Sequence, residues 1–131
     1  MNRPTIVEID LKALDFNLKS LKSSVHSAKF FPVVKADAYG HGIDKIMKHI
    51  QSKVDGFCVA TSEEALNLRS KSKKPILDLE GPYDLADMEA LLKNDIEFVI
   101  HSSRQLNFLK QIKKLKENHP VWLKFDSGMN R

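Results

Sequence analysis

Gly56-Phe57-Cys58-Val59-Ala60-Thr61-Ser62-Glu63-Glu64-Ala65-Leu66-Asn67-Leu68-Arg69 changes its hydrophobic period half-way along. Residues 56–60 are a short run of small and apolar side chains, the length of a buried strand. Thr61 with Glu64 three residues later is a capping-box signature, so a helix is predicted to start there. Ala65 and Leu68 give that helix an apolar face. A strand that runs straight into a helix is one βα unit, the building block of a parallel sheet.

The same alternation extends in both directions. Downstream, residues 75–79 read as a strand, and Leu85, Met88, Leu91 and Leu92 mark a helix. Residues 97–100 are the next strand. Ser102 or Ser103 can cap a helix carrying Leu106, Leu109, Ile112 and Leu115, and residues 121–125 are the last strand. Upstream, residues 42–50 read as a helix and residues 30–34 as a strand interrupted by Pro32. Leu11, Leu14, Leu18, Leu21 and Val25 recur at helical steps, with Asp10 as N-cap, and residues 5–9 read as a short strand. Strands thus begin near residues 5, 30, 56, 75, 97 and 121, the rhythm of successive βα units. No linker or low-complexity tract divides the chain. Such a sheet either closes as a (β/α)8 barrel or lies open as a doubly wound sheet, and the GxGxxG fingerprint of the open form is absent. The fold predicted is α/β, the first part (about five strands from Phe30) of a parallel TIM-type barrel, truncated before closure, with residues 1–131 a single part of that domain.

Composition narrows the function classes. At 131 residues, 42% hydrophobic and 29% charged, the chain is not a disordered segment. No stretch approaches the roughly 18 apolar residues of a membrane span, and acids interrupt the first ten residues where a signal peptide needs an apolar core. A single cysteine, Cys58, permits neither an internal disulfide nor a CxxC metal site. A cytoplasmic location is expected. The net charge of +4 comes from the C-terminal end, where residues 101–131 hold 7 Lys/Arg against 2 Asp/Glu. Lys110, Lys113, Lys114 and Lys116 fall on the helix expected over 103–116; a basic helix can serve a polyanion, but no recognition motif accompanies this one and it reads as a solvated helix face.

The chemistry concentrates where a strand ends. Val33-Val34-Lys35-Ala36-Asp37-Ala38-Tyr39-Gly40-His41-Gly42 places a lysine directly after two buried-type valines. Active sites of parallel α/β folds collect at this C-terminal edge of the strands. An amine at the rim of an apolar strand is partly desolvated, which disfavours the ammonium, and a neutral amine can attack an aldehyde. No metal is expected, since His26, His41, His49, His101 and His119 stand at no ligand spacing. No GxSxG elbow surrounds Ser102 and Ser103. Asp78 and Glu80 could only weakly suggest a carboxylate pair, and Cys58 reads as a core residue.

Residues 34–42, Val-Lys-Ala-Asp-Ala-Tyr-Gly-His-Gly, resemble the cofactor-lysine motif of the alanine racemases, pyridoxal-phosphate enzymes of fold type III. Residues 59–69 and 75–81 resemble the next strands of that family, and Leu123-Lys124-Phe125-Asp126-Ser127-Gly128-Met129-Asn130-Arg131 resembles its LK-x-D-(S/T)-G-M-x-R motif. The resemblance covers essentially the whole chain and about the first third of a family member. It implies that Lys35 holds pyridoxal 5'-phosphate and acts as acid and base on one face of the substrate α-carbon, and that Tyr39 bonds the cofactor phosphate. It implies further that Arg131 contacts the cofactor and the substrate carboxylate, and that Lys124 stands where many members carry a carbamylated lysine. Asp37, His41, Asp126 and Met129 would shape the site. The parent activity implied is interconversion of L- and D-alanine for peptidoglycan, in a homodimer whose partner supplies the second acid/base; neither nucleic acid nor membrane is an expected partner. The stretch to Arg131 alone is expected to be inactive. A related racemase such as a serine racemase, or a non-enzymatic cofactor-binding module, is the alternative.

Overall fold

The computed structural model describes residues 4–25, 27–113 and 118–130. Helix α1 spans Leu11–Ser24, a left-handed turn (α2) spans Lys35–Gly40, and helix α3 spans Ile43–Ile50, extended by a 3-10 turn at Gln51–Lys53. Then βα units follow in strict order: β1 Phe57–Val59, α4 Ser62–Arg69, β2 Ile76–Asp78, α5 Leu85–Lys93, β3 Glu97–Ile100, α6 Ser103–Gln111 and β4 Val121–Leu123. The helix starts are fixed by side chains that replace missing backbone partners. Asp10 accepts from the amides of Lys12 and Ala13, Thr61 from that of Glu64, Asp84 from that of Asp87 and Ser102 from that of Gln105.

All strand pairs are parallel and the order is β1-β2-β3-β4. Each strand therefore lies beside its predecessor, which is barrel winding; a doubly wound sheet reverses its order part-way. The two faces of the sheet confirm it. Phe57, Val59, Ile76, Phe98 and Ile100 pack with Ala65, Leu68, Met88 and Leu91 of the helices, whereas Cys58, Leu77 and Val99 form a second cluster with Phe31 and Leu79, all from strands and their ends. Helices cover one face, and the other is the start of a barrel interior. The barrel is not closed. Where the chain leaves β2, Gly81 (φ +74°) lies so near the Val99 carbonyl that a Cβ would come to 2.0 Å from it, so no other residue fits that turn.

Four sequence expectations need correction. The expected first barrel strand, residues 30–34, is not a regular strand, leaving four. It runs beside β1 through a single parallel bridge, Val33 to Cys58, flanked by Cys58 N–H to Pro32 O (2.9 Å) and Val34 N–H to Cys58 O (2.8 Å). Pro32 has no N–H to donate, which interrupts the ladder. The segment 5–9 forms no strand, because no described strand lies beside it. The helix expected over 103–116 stops at Gln111, and Ile112 is extended, so Lys113 lies beyond it; Lys114 and Lys116 lie outside the described residues. Asp78 and Glu80 do not pair, since Asp78 is buried while Glu80 is exposed and bonds Tyr83. Among the described residues no helix is long and apolar enough to cross a membrane, and no cluster of His, Cys, Asp and Glu could hold a metal.

Candidate functional site

Parallel strands all end at the same edge of the sheet. Lys35 after the Val33 bridge, Thr61 after β1, Glu80 after β2, His101 after β3 and Lys124 after β4 therefore share that edge. Val34 is buried, anchoring the base of the first of these ends, and Lys35 is half-buried. Its ammonium makes no hydrogen bond or ion pair among the described residues.

The chain beyond Lys35 is strained. Ala36, Asp37, Ala38 and Tyr39 all have left-handed dihedrals, φ +50° to +55°. Such a run costs an L-residue chain roughly 1–2 kcal/mol per residue, and strain of this kind persists only when surroundings over-determine it. Several bonds do so here. Ala38 N–H donates to Val34 O at 3.0 Å, and Gly42 N–H to Asp37 O at 3.0 Å. The Asp37 carboxylate accepts from the Ile43 amide at 2.7 Å, capping α3 across Gly42, whose φ of +85° admits the reversal. The His41 ring donates through Nδ1 to Ala38 O at 2.8 Å. Finally, the Glu64 carboxylate of α4 accepts from the Ala36 amide at 2.7 Å and from the Ala60 amide at 2.9 Å. One left-handed turn thus carries the chain from Lys35 to Tyr39, whose ring is largely exposed and lies against the apolar groove between α1 and residues 30–34.

The other sequence candidates are placed as follows. Lys124 is exposed just after β4, its amide bonded to Ile100 O at 3.0 Å. Asp126 folds the following loop through bonds from the amides of Gly128 and Asn130. Arg131 lies outside the described residues. Cys58 is buried, and burial, aided by the charge of Glu97, pushes its thiol up to about 11, consistent with a core residue. The histidines serve locally: His41 on its own turn, His49 on Asp15, His101 on Glu80 O and His119 on Ile96 O, with His26 outside the described residues. The reach of Glu64 to Ala36 could not be read from sequence. Thr61 and Glu64 signal a helix start, but the contact spans 28 residues and depends on how the strands pair.

A half-buried amine without a partner among the described residues and a phenol one turn on, at the open edge of a parallel sheet, suit a carbonyl-bearing cofactor with an anionic tail: the amine can attack the carbonyl and the phenol can donate to the anion.

Comparison with known proteins places the chain in a family. A family model described as "Alanine racemase, N-terminal domain" matches residues 9–131. The chain is 43% identical over 130 residues to an alanine racemase of Actinobacillus succinogenes, covering 98% of this chain and 36% of that protein. It is 48% identical over 124 residues to one of Vibrio atlanticus, covering 94% and 34%. Among solved structures, the biosynthetic alanine racemase of Pseudomonas aeruginosa superposes with a TM-score of 0.85 at 33% identity, covering 94% of this chain and 34% of that one. The alanine racemase of Acinetobacter baumannii gives 0.83 at 34% identity, covering 94% and 37%. The chain therefore spans about a third of the length of these relatives.

Proposed function

This chain belongs to the alanine racemase family, and from that premise we propose that it is the lysine-bearing part of a racemase that interconverts L- and D-alanine with pyridoxal 5'-phosphate. Residues 1–131 are then the N-terminal part of the cofactor-binding barrel domain, completed by the remaining strands and a C-terminal domain. Bound there, pyridoxal phosphate supplies an electron sink for the charge left when the α-proton is removed. The Lys35 ε-amine holds the cofactor and moves the proton on one face of the α-carbon. Tyr39 donates its hydroxyl to the phosphate. Arg131 offers a fixed fork of donors to the substrate carboxylate, and Lys124, two residues before Asp126, steadies it. The second face of the α-carbon needs its own acid/base, which a homodimer partner provides. The reaction takes place in the cytoplasm and its product, D-alanine, feeds peptidoglycan.

The observation that carries this reading is Lys35 itself, a half-buried amine with no partner among the described residues, set at the sheet edge by a turn of four left-handed residues. Its test is Lys35→Ala in the complete racemase chain. D-alanine formation should fall by on the order of 10³-fold or more, the scale of a positioned acid/base. The pyridoxyl adduct trapped by borohydride on the wild-type protein should also disappear. Turnover or an adduct retained by the variant overturns the assignment.

A further inference from the structure

We propose that Glu64 is a positioning residue for Lys35, its carboxylate clamping the peptide that follows the lysine. The inference rests on the functional reading above and deepens it. Two glutamates stand side by side at the start of α4. Glu63 is exposed, while Glu64 is half-buried and turned toward the strand ends. Thr61 seats its backbone by accepting from the Glu64 amide at 3.3 Å. The side chain does not close the capping box on the Thr61 amide. One carboxylate oxygen accepts from Ala60 N–H at 2.9 Å and the other from Ala36 N–H at 2.7 Å. A carboxylate can only accept, and bonds to a charged acceptor are roughly twice as strong as neutral ones. The positive end of α4 favours that charge.

The geometry gives the clamp its consequence. The Ala36 N–H belongs to the Lys35–Ala36 peptide, so holding it fixes ψ of Lys35 and φ of Ala36 together. Ala36, at φ +50°, is the first of the four left-handed residues. Released, that peptide can rotate and relieve the strain, and the Cα–Cβ direction of Lys35 turns with it. Displacements near 1 Å at a reacting group cost about 10²-fold in rate. The clamp acts on Lys35 through the backbone and touches no substrate.

The experiment compares Glu64→Gln, Glu64→Asp and Glu63→Gln with wild type in the complete racemase chain. Gln keeps the length but points an NH2 at one of the two amides. Asp keeps the charge at the helix start but is one methylene too short to reach Ala36. Three quantities are read: amide exchange at Ala36 in the absence of cofactor, the fraction of Lys35 trapped by borohydride with pyridoxal phosphate, and kcat and KM for alanine. Both Glu64 variants should exchange the Ala36 amide about tenfold faster or more, the loss of one charge-assisted bond. The trapped fraction and kcat should fall, kcat by about 10- to 100-fold, with KM moving less than about threefold, while thermal unfolding and Glu63→Gln stay as wild type. Ala36 exchange and kcat unchanged in Glu64→Gln and Glu64→Asp, or an equal loss in Glu63→Gln, overturn the proposal. If Glu64→Gln fails to fold, Glu64→Asp decides alone. A wild-type protein that traps no pyridoxyl adduct instead refutes the functional reading, and Ala36 exchange alone then judges the clamp.

Discussion

Asp78 is a fully buried carboxylate on the helix face of β2, and its surroundings pull its proton affinity both ways. One oxygen accepts from the amides of Glu80 (3.2 Å) and Gly81 (3.1 Å) and the other from the Ser62 hydroxyl (3.1 Å), all favouring the anion. Burial disfavours it and wins, pushing the group up from 3.8 to about 6. The folded chain therefore holds this proton more tightly than the unfolded one. The stability that Asp78 contributes is full below about pH 4 and is lost as pH rises through about 6. At about 1.4 kcal/mol per unit, the difference is of order 2–3 kcal/mol. Asp78→Asn keeps an acceptor for the two amides, and the Ser62 hydroxyl can turn to accept from the new amide. The variant should be about 1–2 kcal/mol more stable than wild type at pH 8 and no more stable at pH 4, as read by urea unfolding at the two pH values. Equal or lower stability at pH 8 would show that the hydrogen bonds, and not burial, control the group.

At the scale of elements, α1 is held by a polar contact as well as by its apolar face. Leu18 is its one buried residue. Asp15 on α1 takes the ring of His49, at the end of α3, at 2.9 Å and also the ammonium of Lys53 in the 3-10 turn, and those two bonds hold its carboxyl below the usual range. A lowered folded value means that the contribution is present above about pH 4 and is lost as acid protonates the carboxylate. Asp15→Asn should therefore speed amide exchange in α1 at pH 7 while leaving β1 to β3 unchanged, and acidifying wild type should do the same; uniform exchange across all elements would rule out a local clamp. Nothing in the sequence marks this triad, because its members meet only once α1 has folded against α3. What the sequence does mark is local. Asp10, Thr61 and Ser102 act within three residues, and each caps the helix expected of it. The βα order was legible for the same reason, each unit carrying its own period. Strand character was less so: residues 5–9 have the composition of a strand but no neighbour, and Pro32 breaks the ladder of residues 30–34. At the candidate site, residues 34–42 pointed to Lys35 and Tyr39, but the left-handed path between them starts at a peptide held in part by Glu64, a residue that belongs to another unit.

For the whole molecule, the question is whether these 131 residues can racemise by themselves. Proton removal on one face of the α-carbon and delivery on the other need two groups on opposite sides of one plane, and under the proposed function Lys35 serves only one side. Three other titratable groups described near the sheet edge are already engaged. Asp78 is buried beneath α4. Tyr83 donates to the Glu80 carboxylate, and that bond, with burial and the nearby acids, pushes the phenol up to about 12, away from the range of a base at neutral pH. His101 is bonded to Glu80 O. The last strand and the residues after it also present apolar surface: Trp122 of β4 is 50% exposed and Leu123 66%, and Phe125 beyond it 86%. A parallel sheet is normally covered on both faces, and such an edge invites pairing with other chains. The 131-residue chain, purified alone with pyridoxal phosphate and L-alanine, is accordingly expected to form no D-alanine above the enzyme-free rate and to sediment as species that grow with concentration. Supplying the remaining strands on a second polypeptide should suppress that growth by covering β4. Steady turnover by the pure 131-residue chain would mean that a second acid/base stands among its own residues, and His101, an exposed imidazole on that edge, would be the first to replace.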